Sequence, residues 1–410
     1  MGAGGAGLVA AWLLEERHDV TVFERDDRLG GHLHSLSVPR ARSVVSVDVG
    51  THFVSRRMYP RFVKLLEHLA VPRFEYPQTL TFYDRASRTT VCLPPTGSVA
   101  RYKTMLGKGA LASLVRFGKL LEAAALHVER GDWATTFDEY LARRDLPSEF
   151  VTGFVRPFFA SNWGVKTAEI GALSARAVLS YATVHRLTTS GQARWLAIEG
   201  GASRYVHELR SALGSARIVS GQPVSGIRRD GGAYAIETAG ETAGPFDAVV
   251  LATNAEDARA ALSPLAGAGA LRATLGAFEY FDTRIAVHRD ASLLPADRGH
   301  WSTVNLCRES DFCAIHQWSG WREGADLFRS WITHYPTKPR DVVAEITYRH
   351  ARPTPAYYAA QDKLDALQGR EGLSFVGVYT RGFDNHESAL SSAVDAARRL
   401  GAGSRVALFD

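Results

Sequence analysis

Apolar residues along this chain follow helical and strand-like spacing in turn. After a glycine-rich start, residues 8–18 (LVAAWLLEERH) read as a helix and residues 19–25 (DVTVFER) as a β-rich run ending in an acid. Residues 47–52 return as an apolar strand closed by Asp48 and Gly50. From 53 to 190, helical stretches alternate with short strand-like runs such as 80–83 and 91–93. Residues 111–128 space their apolar positions as an amphipathic helix that also carries Arg116, Lys119, Glu122 and His127. Packing on the protein's own core is the favoured reading of that helix, ahead of a membrane-surface or lid role. Farther on, Glu199-Gly200-Gly201-Ala202-Ser203 opens a helix, a strand follows at 217–219, and two more strands flank the turn Asp230-Gly231-Gly232. The unbroken apolar run at 246–253 fits a parallel strand covered on both faces. Residues 276–355 alternate in β fashion and hold Trp301, His316, Trp318, Trp321, Trp331 and Tyr335, which suggests an antiparallel sheet walling a cavity. Residues 373–379 form a last strand, and a helix starts at His386 and runs to about Leu400.

Composition narrows the class. The chain has 410 residues, 46% apolar and 22% charged, enough for two or three folded cores. The net charge of +5 comes from basic residues scattered among acids, not the clustered footprint of a nucleic-acid binder. Cys92, Cys307 and Cys313 form no CxxC pair and no ligand spacing, so neither a disulfide framework nor a metal site is expected. No signal peptide and no membrane-length apolar run is visible, and the expected location is cytoplasmic without integral membrane contact.

The strongest motif is Gly2-Ala3-Gly4-Gly5-Ala6-Gly7, a GxGxxG opening a helix. Gly2 permits a tight turn, Gly4 lets backbone approach a pyrophosphate, and Gly7 allows close helix–strand packing. The helix N-terminus then offers free N–H groups and a positive dipole end to the phosphates. Glu24 ends the next strand, where a carboxylate binds ribose hydroxyls and repels a 2′-phosphate. Directly afterwards comes Arg28-Leu29-Gly30-Gly31-His32, the R-x-G-G continuation typical of large flavoproteins and generally absent from NAD dehydrogenases. The expected cofactor is therefore FAD. Met1 alone stands where a sheet strand should precede Gly2. A start placed too far downstream, a shortened chain, or a real loss that impairs FAD binding would account for this, and the intact motif favours the first two.

With these residues in view, the chain resembles the FAD-dependent amine-oxidoreductase group of bacterial proteins, relatives of phytoene desaturases and hydroxysqualene dehydroxylase. The resemblance spans nearly the whole chain and rests on GAGGAGLVAAWLLEERHDVTVFERDDRLGGHLHS, VDVGTHFV, AVHRDASLLPADRGHWSTVN and YTRGFDNHESALSSAVDAARRLG. It implies an α/β fold: a Rossmann-like FAD-binding domain assembled from residues 1–65, 195–265 and 365–410. An inserted α+β substrate domain, mixed sheet plus helices, takes 66–194 and 266–364. Gly2, Gly4, Gly7, Glu24, Arg28, Gly30, Gly31, Gly50, Thr51, Val224, Ala252, Thr253, Gly377, His386 and Glu387 are the expected cofactor residues. Relatives continue His-Glu with Asp-Gly and later Ser-Gly, where this chain has Ser388-Ala389 and Ser392-Ala393, and no counterpart of the lysine that amine oxidases hold beside flavin N5 is evident. Classical amine oxidation is accordingly not the first expectation.

The expected reaction is hydride transfer from a small or hydrophobic metabolite to flavin N5, and the expected partner is a hydrophobic or aromatic small molecule. A net non-redox flavoenzyme such as an isomerase, and a non-catalytic, FAD-poor binding protein, are the alternatives. His52, Tyr379 and His34 are the candidates for proton exchange, with structural hydrogen bonding an equal reading for each. Asn162 and Trp163 are weighed as cavity residues, with core packing favoured.

Overall fold

In the computed structural model, residues 1–40, 43–95, 97–107, 109–184, 194–324 and 326–410 are described. The glycine-rich start leads straight into a buried helix, Gly5–Leu14. Behind it, Thr21–Phe23 pairs in parallel with Arg217–Val219, and Val249–Leu251 pairs in parallel with Leu373–Phe375. Met1 and Gly2 bridge the two pairs. The Met1 amine donates to Val250 O (2.8 Å), Ala252 N donates to Met1 O (2.8 Å), and Gly2 N donates to Phe23 O (2.7 Å). The glycine loop thus has the central sheet position that the sequence put in question.

The apolar run at 246–253 is not one strand. Phe246 ends the strand Thr242–Phe246, which pairs with Ala233–Thr238, and only Val249–Leu251 joins the parallel layer. The last strand also stops early, at Phe375, where the backbone turns through Val378–Thr380. The closing helix, His386–Arg399, then packs against the first helix. Apolar residues of both share one core: Leu8, Val9 and Trp12 with Leu390, Ala393 and Val394.

Facing this unit is a seven-stranded sheet. Its order is Val342–Ala351, Tyr280–His288, Phe328–Trp331, Phe312–Trp318, Val304–Glu309, Leu80–Asp84, Thr89–Leu93. All neighbours run antiparallel except Val304–Glu309 with Leu80–Asp84: the strands within 276–355 form the expected antiparallel wall, and joining Leu80–Asp84 to it makes the whole sheet mixed. A helical layer covers it, including Arg156–Trp163 and Ala175–Val184. The amphipathic helix spans Ala110–Glu129. It buries Phe117, Leu120, Ala124 and His127, as core packing requires, yet leaves Leu111, Val115 and Leu126 exposed. Among the described residues no helix is long and apolar enough to cross a membrane.

Candidate functional site

Between the parallel layer and the mixed sheet lies a cavity of about 800 Å³. Its floor is the glycine loop. Gly4 caps the first helix without any side-chain hydrogen bond, and no acid occupies that helix's first turn. A Cβ at Gly4 would meet no protein atom within 4 Å, so open space reaches the backbone there. Gly7 lies outside the cavity lining. A Cβ on it would overlap the Gly2 carbonyl oxygen and come within 3.0 Å of Ala252 Cβ, so Gly7 serves helix–strand packing and not direct contact.

Glu24 lines the cavity and is buried. One carboxylate oxygen accepts from Ala3 N (2.6 Å), the other from Asp26 N (3.0 Å). Each oxygen keeps a lone pair for a hydroxyl donor. Arg28 also lines the cavity, but its Nη1 and Nη2 donate to Leu29 O and Gly31 O, bracing the second glycine pair. A Cβ at Gly50 would overlap the His32 carbonyl oxygen, which locks the Gly50-Thr51-His52 segment onto that loop. Gly2, Gly30, Gly31, Thr51, Val224, Ala252, Thr253 and Gly377 complete the lining. Gly377 N donates to Ser392 Oγ (2.9 Å), which ties this turn to the closing helix.

The closing helix contributes two predicted residues with different fates. His386 lines the cavity, edge-on to Phe62 (ring centroids 4.5 Å). Burial holds its imidazole down at about 4, so it is neutral. Glu387 points away. Its two carboxylate oxygens accept from Arg61 N and Phe62 N, both at 3.0 Å, and so cap the helix Pro60–His68. The expectation that Glu387 binds cofactor is corrected: the backbone turns its side chain to the outer face of the helix start. Glu387→Ala should cost about 1 kcal/mol of stability through the lost cap while leaving flavin content unchanged. Urea unfolding and the visible spectrum of the variant check both halves.

All three proton-exchange candidates line the cavity. His52 Nδ1 lies 2.6 Å from Gly50 O, and since a carbonyl only accepts, Nδ1 carries the hydrogen and Nε2 the lone pair. Burial first, and then the Arg329 guanidinium, hold His52 well below its ordinary range. Tyr379 is 1% exposed and its hydroxyl has no partner among the described residues. Burial raises it far above the usual phenol range, so it serves as a donor and not a base. His34 Nδ1 bonds the Tyr348 hydroxyl at 2.9 Å.

Several lining residues escaped the sequence reading. Tyr348 and His350 project from strand Val342–Ala351, with the His32 ring 4.5 Å from Tyr348 and 5.6 Å from His350. Tyr59, Tyr181, Phe53 and Asp384 join them. Burial raises the Asp384 carboxyl, against the pull of His32. The period-two run Ile346, Tyr348, His350 was the available signal. Asn162 and Trp163 do line the cavity, although Trp163 is also part of the core, at 7% exposure. Of the rings between 276 and 355, Trp331 faces the cavity, while Trp301 and Tyr335 fill the core behind the sheet.

The glycine loop, the free helix N-terminus, the buried Glu24 carboxylate and the adjoining aromatic chamber have the arrangement of a dinucleotide-binding flavoprotein. The family model of flavin-containing amine oxidoreductases matches residues 6–277, and the chain belongs to that family. Its cofactor is FAD, and the unpartnered Tyr379 hydroxyl and His386 Nε2, with the open cradle at Gly4, fit such a group. The chain is 28% identical over 250 residues to the flavin-dependent L-tryptophan oxidase of Lentzea aerocolonigenes, over 55% of this chain and 51% of that protein. It thus spans about half the length of this curated relative. Similar solved structures include wild-type putrescine oxidase bound to putrescine, at 14% identity and TM-score 0.67 over 97% of both chains. Cyclohexylamine oxidase from Brevibacterium oxydans shows 15% identity and TM-score 0.66, over 97% of this chain and 98% of that one. The CLA-producing fatty acid isomerase from P. acnes shows 16% and 0.67, over 98% and 97%. At these identities the likeness is one of fold.

Proposed function

We propose that this chain is an FAD-dependent oxidoreductase that takes a hydride from a C–H bond of a small hydrophobic or aromatic molecule. One observation carries the reading: a single cavity runs from the glycine loop to a chamber walled by Trp163, Tyr181, Trp331 and Tyr348. When bound, FAD supplies hydride acceptance at N5. The protein's own share is to hold the dinucleotide, exclude water and manage a proton. We assign Gly2, Gly4, Glu24, Gly30, Gly31, Thr51, Val224 and Gly377 to the cofactor, with Gly7 and Gly50 shaping the loops that hold it. Residues 1–65, 195–265 and 365–410 form the cofactor domain in this proposal, and 66–194 with 266–364 the substrate domain. The aromatic walls orient a planar or apolar substrate and keep the reacting carbon dry. His52, neutral with its lone pair on Nε2, accepts the proton that leaves with the hydride, and Tyr379 donates a hydrogen bond. The three unpaired cysteines suit a cytoplasmic setting.

The test is anaerobic. Protein loaded with FAD is mixed with aromatic amines and amino acids, L-tryptophan among them, and the flavin absorbance is followed. Bleaching by a member of the set supports the proposal, and a fully loaded protein that none of them bleaches counts against it. His52→Gln should retain flavin while slowing bleaching by roughly 10²–10⁴-fold, the usual range for losing a general base. A net non-redox reaction is the second reading, favoured by the absence of any lysine among the described lining residues. Turnover without oxygen consumption or peroxide would select it.

A further inference from the structure

Behind the segment Thr51–Phe53 lies a second, smaller cavity of about 130 Å³. Arg329 lines it but does not line the flavin cavity. This arginine sits mid-sheet on strand Phe328–Trp331, paired with Gln317 on one side and Val287 on the other, and is 1% exposed. None of its three guanidinium nitrogens has a hydrogen-bond partner among the described residues. Asp48 shares the pocket and its charge acts on the guanidinium, but it makes no hydrogen bond to it, and its Oδ1 accepts instead from the Ser35 hydroxyl (2.6 Å) and Ala202 N (2.7 Å). Burial lowers the guanidinium only to about 10, so it stays charged at neutral pH. A buried cation with five idle donors is among the costliest arrangements a core can hold, unless an acceptor comes to it.

The pocket is built to admit one. Tyr76 and Trp321 stack at 5.1 Å along its side, and Trp321, 39% exposed, brings the opposite end to the surface. A planar guanidinium fork matches a carboxylate through two parallel N–H···O bonds. We propose that this pocket is a second ligand site, distinct from the flavin cavity, that binds a small free carboxylate with its oxygens on Arg329 and its carbon end along the Tyr76–Trp321 stack. The site does not depend on the reaction proposed above, so its failure and the failure of that reading are separable.

Thermal unfolding of the purified protein tests it, with sodium acetate or propionate titrated at constant ionic strength against acetamide and sodium chloride. The carboxylates should raise Tm saturably, and the isosteric amide and chloride should not. Arg329→Met should abolish the shift, and Arg329→Lys, which keeps the charge but loses the fork, should weaken the apparent affinity about tenfold. A measurement independent of those buried substitutions follows tryptophan emission. Acetate should change it in the wild type, and the change should shrink in Trp321→Phe at the pocket mouth. Equal response to acetate and acetamide, an unchanged shift in Arg329→Met, or emission indifferent to acetate overturns the proposal.

Discussion

Gly7→Ala is expected to purify without yellow colour and to unfold at a lower temperature than the wild type. The added methyl would overlap the Gly2 carbonyl oxygen. That carbonyl cannot withdraw freely, because Gly2 N is bonded to Phe23 O, and Met1 just before it is bonded to both Val250 and Ala252. Ala252 Cβ, 3.0 Å from the new methyl, closes the other side. The helix Gly5–Leu14 must therefore shift as a body, and overpacking of this kind costs about 1–3 kcal/mol. The same shift lifts the helix N–H groups from the position of the phosphates, so flavin affinity falls by roughly 10–100-fold, at tenfold per 1.4 kcal/mol. Gly4→Ala separates the two effects. Its methyl meets no protein atom, so apoprotein stability should stay within about 1 kcal/mol of the wild type, while the methyl still enters the space the pyrophosphate needs. The ratio of flavin to protein absorbance and a thermal scan of each variant decide the matter. A yellow Gly7→Ala protein with unaltered Tm would refute this account of the loop.

What could be read in advance follows the range over which each feature is determined. The glycine loop, its helix, Glu24 and the closing helix are local patterns, and each lies where the spacing predicts it. The direction of a side chain at a helix start is not local. Nothing in His386-Glu387 tells that one residue faces the cavity and the next caps Pro60–His68 from more than three hundred positions away. The split of the run at 246–253 likewise depends on distant partners, since Phe246 pairs with Tyr234 while Val249 pairs with Leu373. Alternation shows that Trp331 and Ser330 lie on opposite faces, but which face meets the flavin unit is decided by the sheet's neighbours. For the same reason Arg329, in an ordinary-looking strand, gives no sign in sequence of its complete burial.

Stability is expected to fall steeply as the pH drops below 6.5, and buried histidines are the cause. His288 Nδ1 accepts from Asp290 N (3.1 Å), so its Nε2 carries the hydrogen and donates to Ser330 Oγ (2.7 Å). The Ser330 hydroxyl then donates to His316 Nδ1 (2.7 Å). Both rings are fully buried, and the chain of donors works only while both are neutral. Burial brings His288 down to about 4 and His316 well below its ordinary range, and His386 is likewise at about 4. An unfolded histidine takes up its proton near 6.5. Between 6.5 and about 4 the unfolded chain therefore binds more protons than the folded one, and the stability present above 6.5 is lost as pH falls through that window. Each such group contributes about 1.4 kcal/mol per pH unit. The raised carboxyls of Asp48, Asp384 and Glu387 act in the opposite sense and offset part of this loss, so the slope read is the balance of the two sets. Urea midpoints of flavin-free protein at pH 7.5, 6.0 and 5.0 should decline, and His386→Leu should decline less steeply by about one proton's worth. Its Nε2 has no partner to lose, so the variant isolates the titration from any broken hydrogen bond. A stability curve flat from 7.5 to 5.0, or one whose slope His386→Leu does not change, would mean that these rings reach solvent and titrate normally in the folded protein.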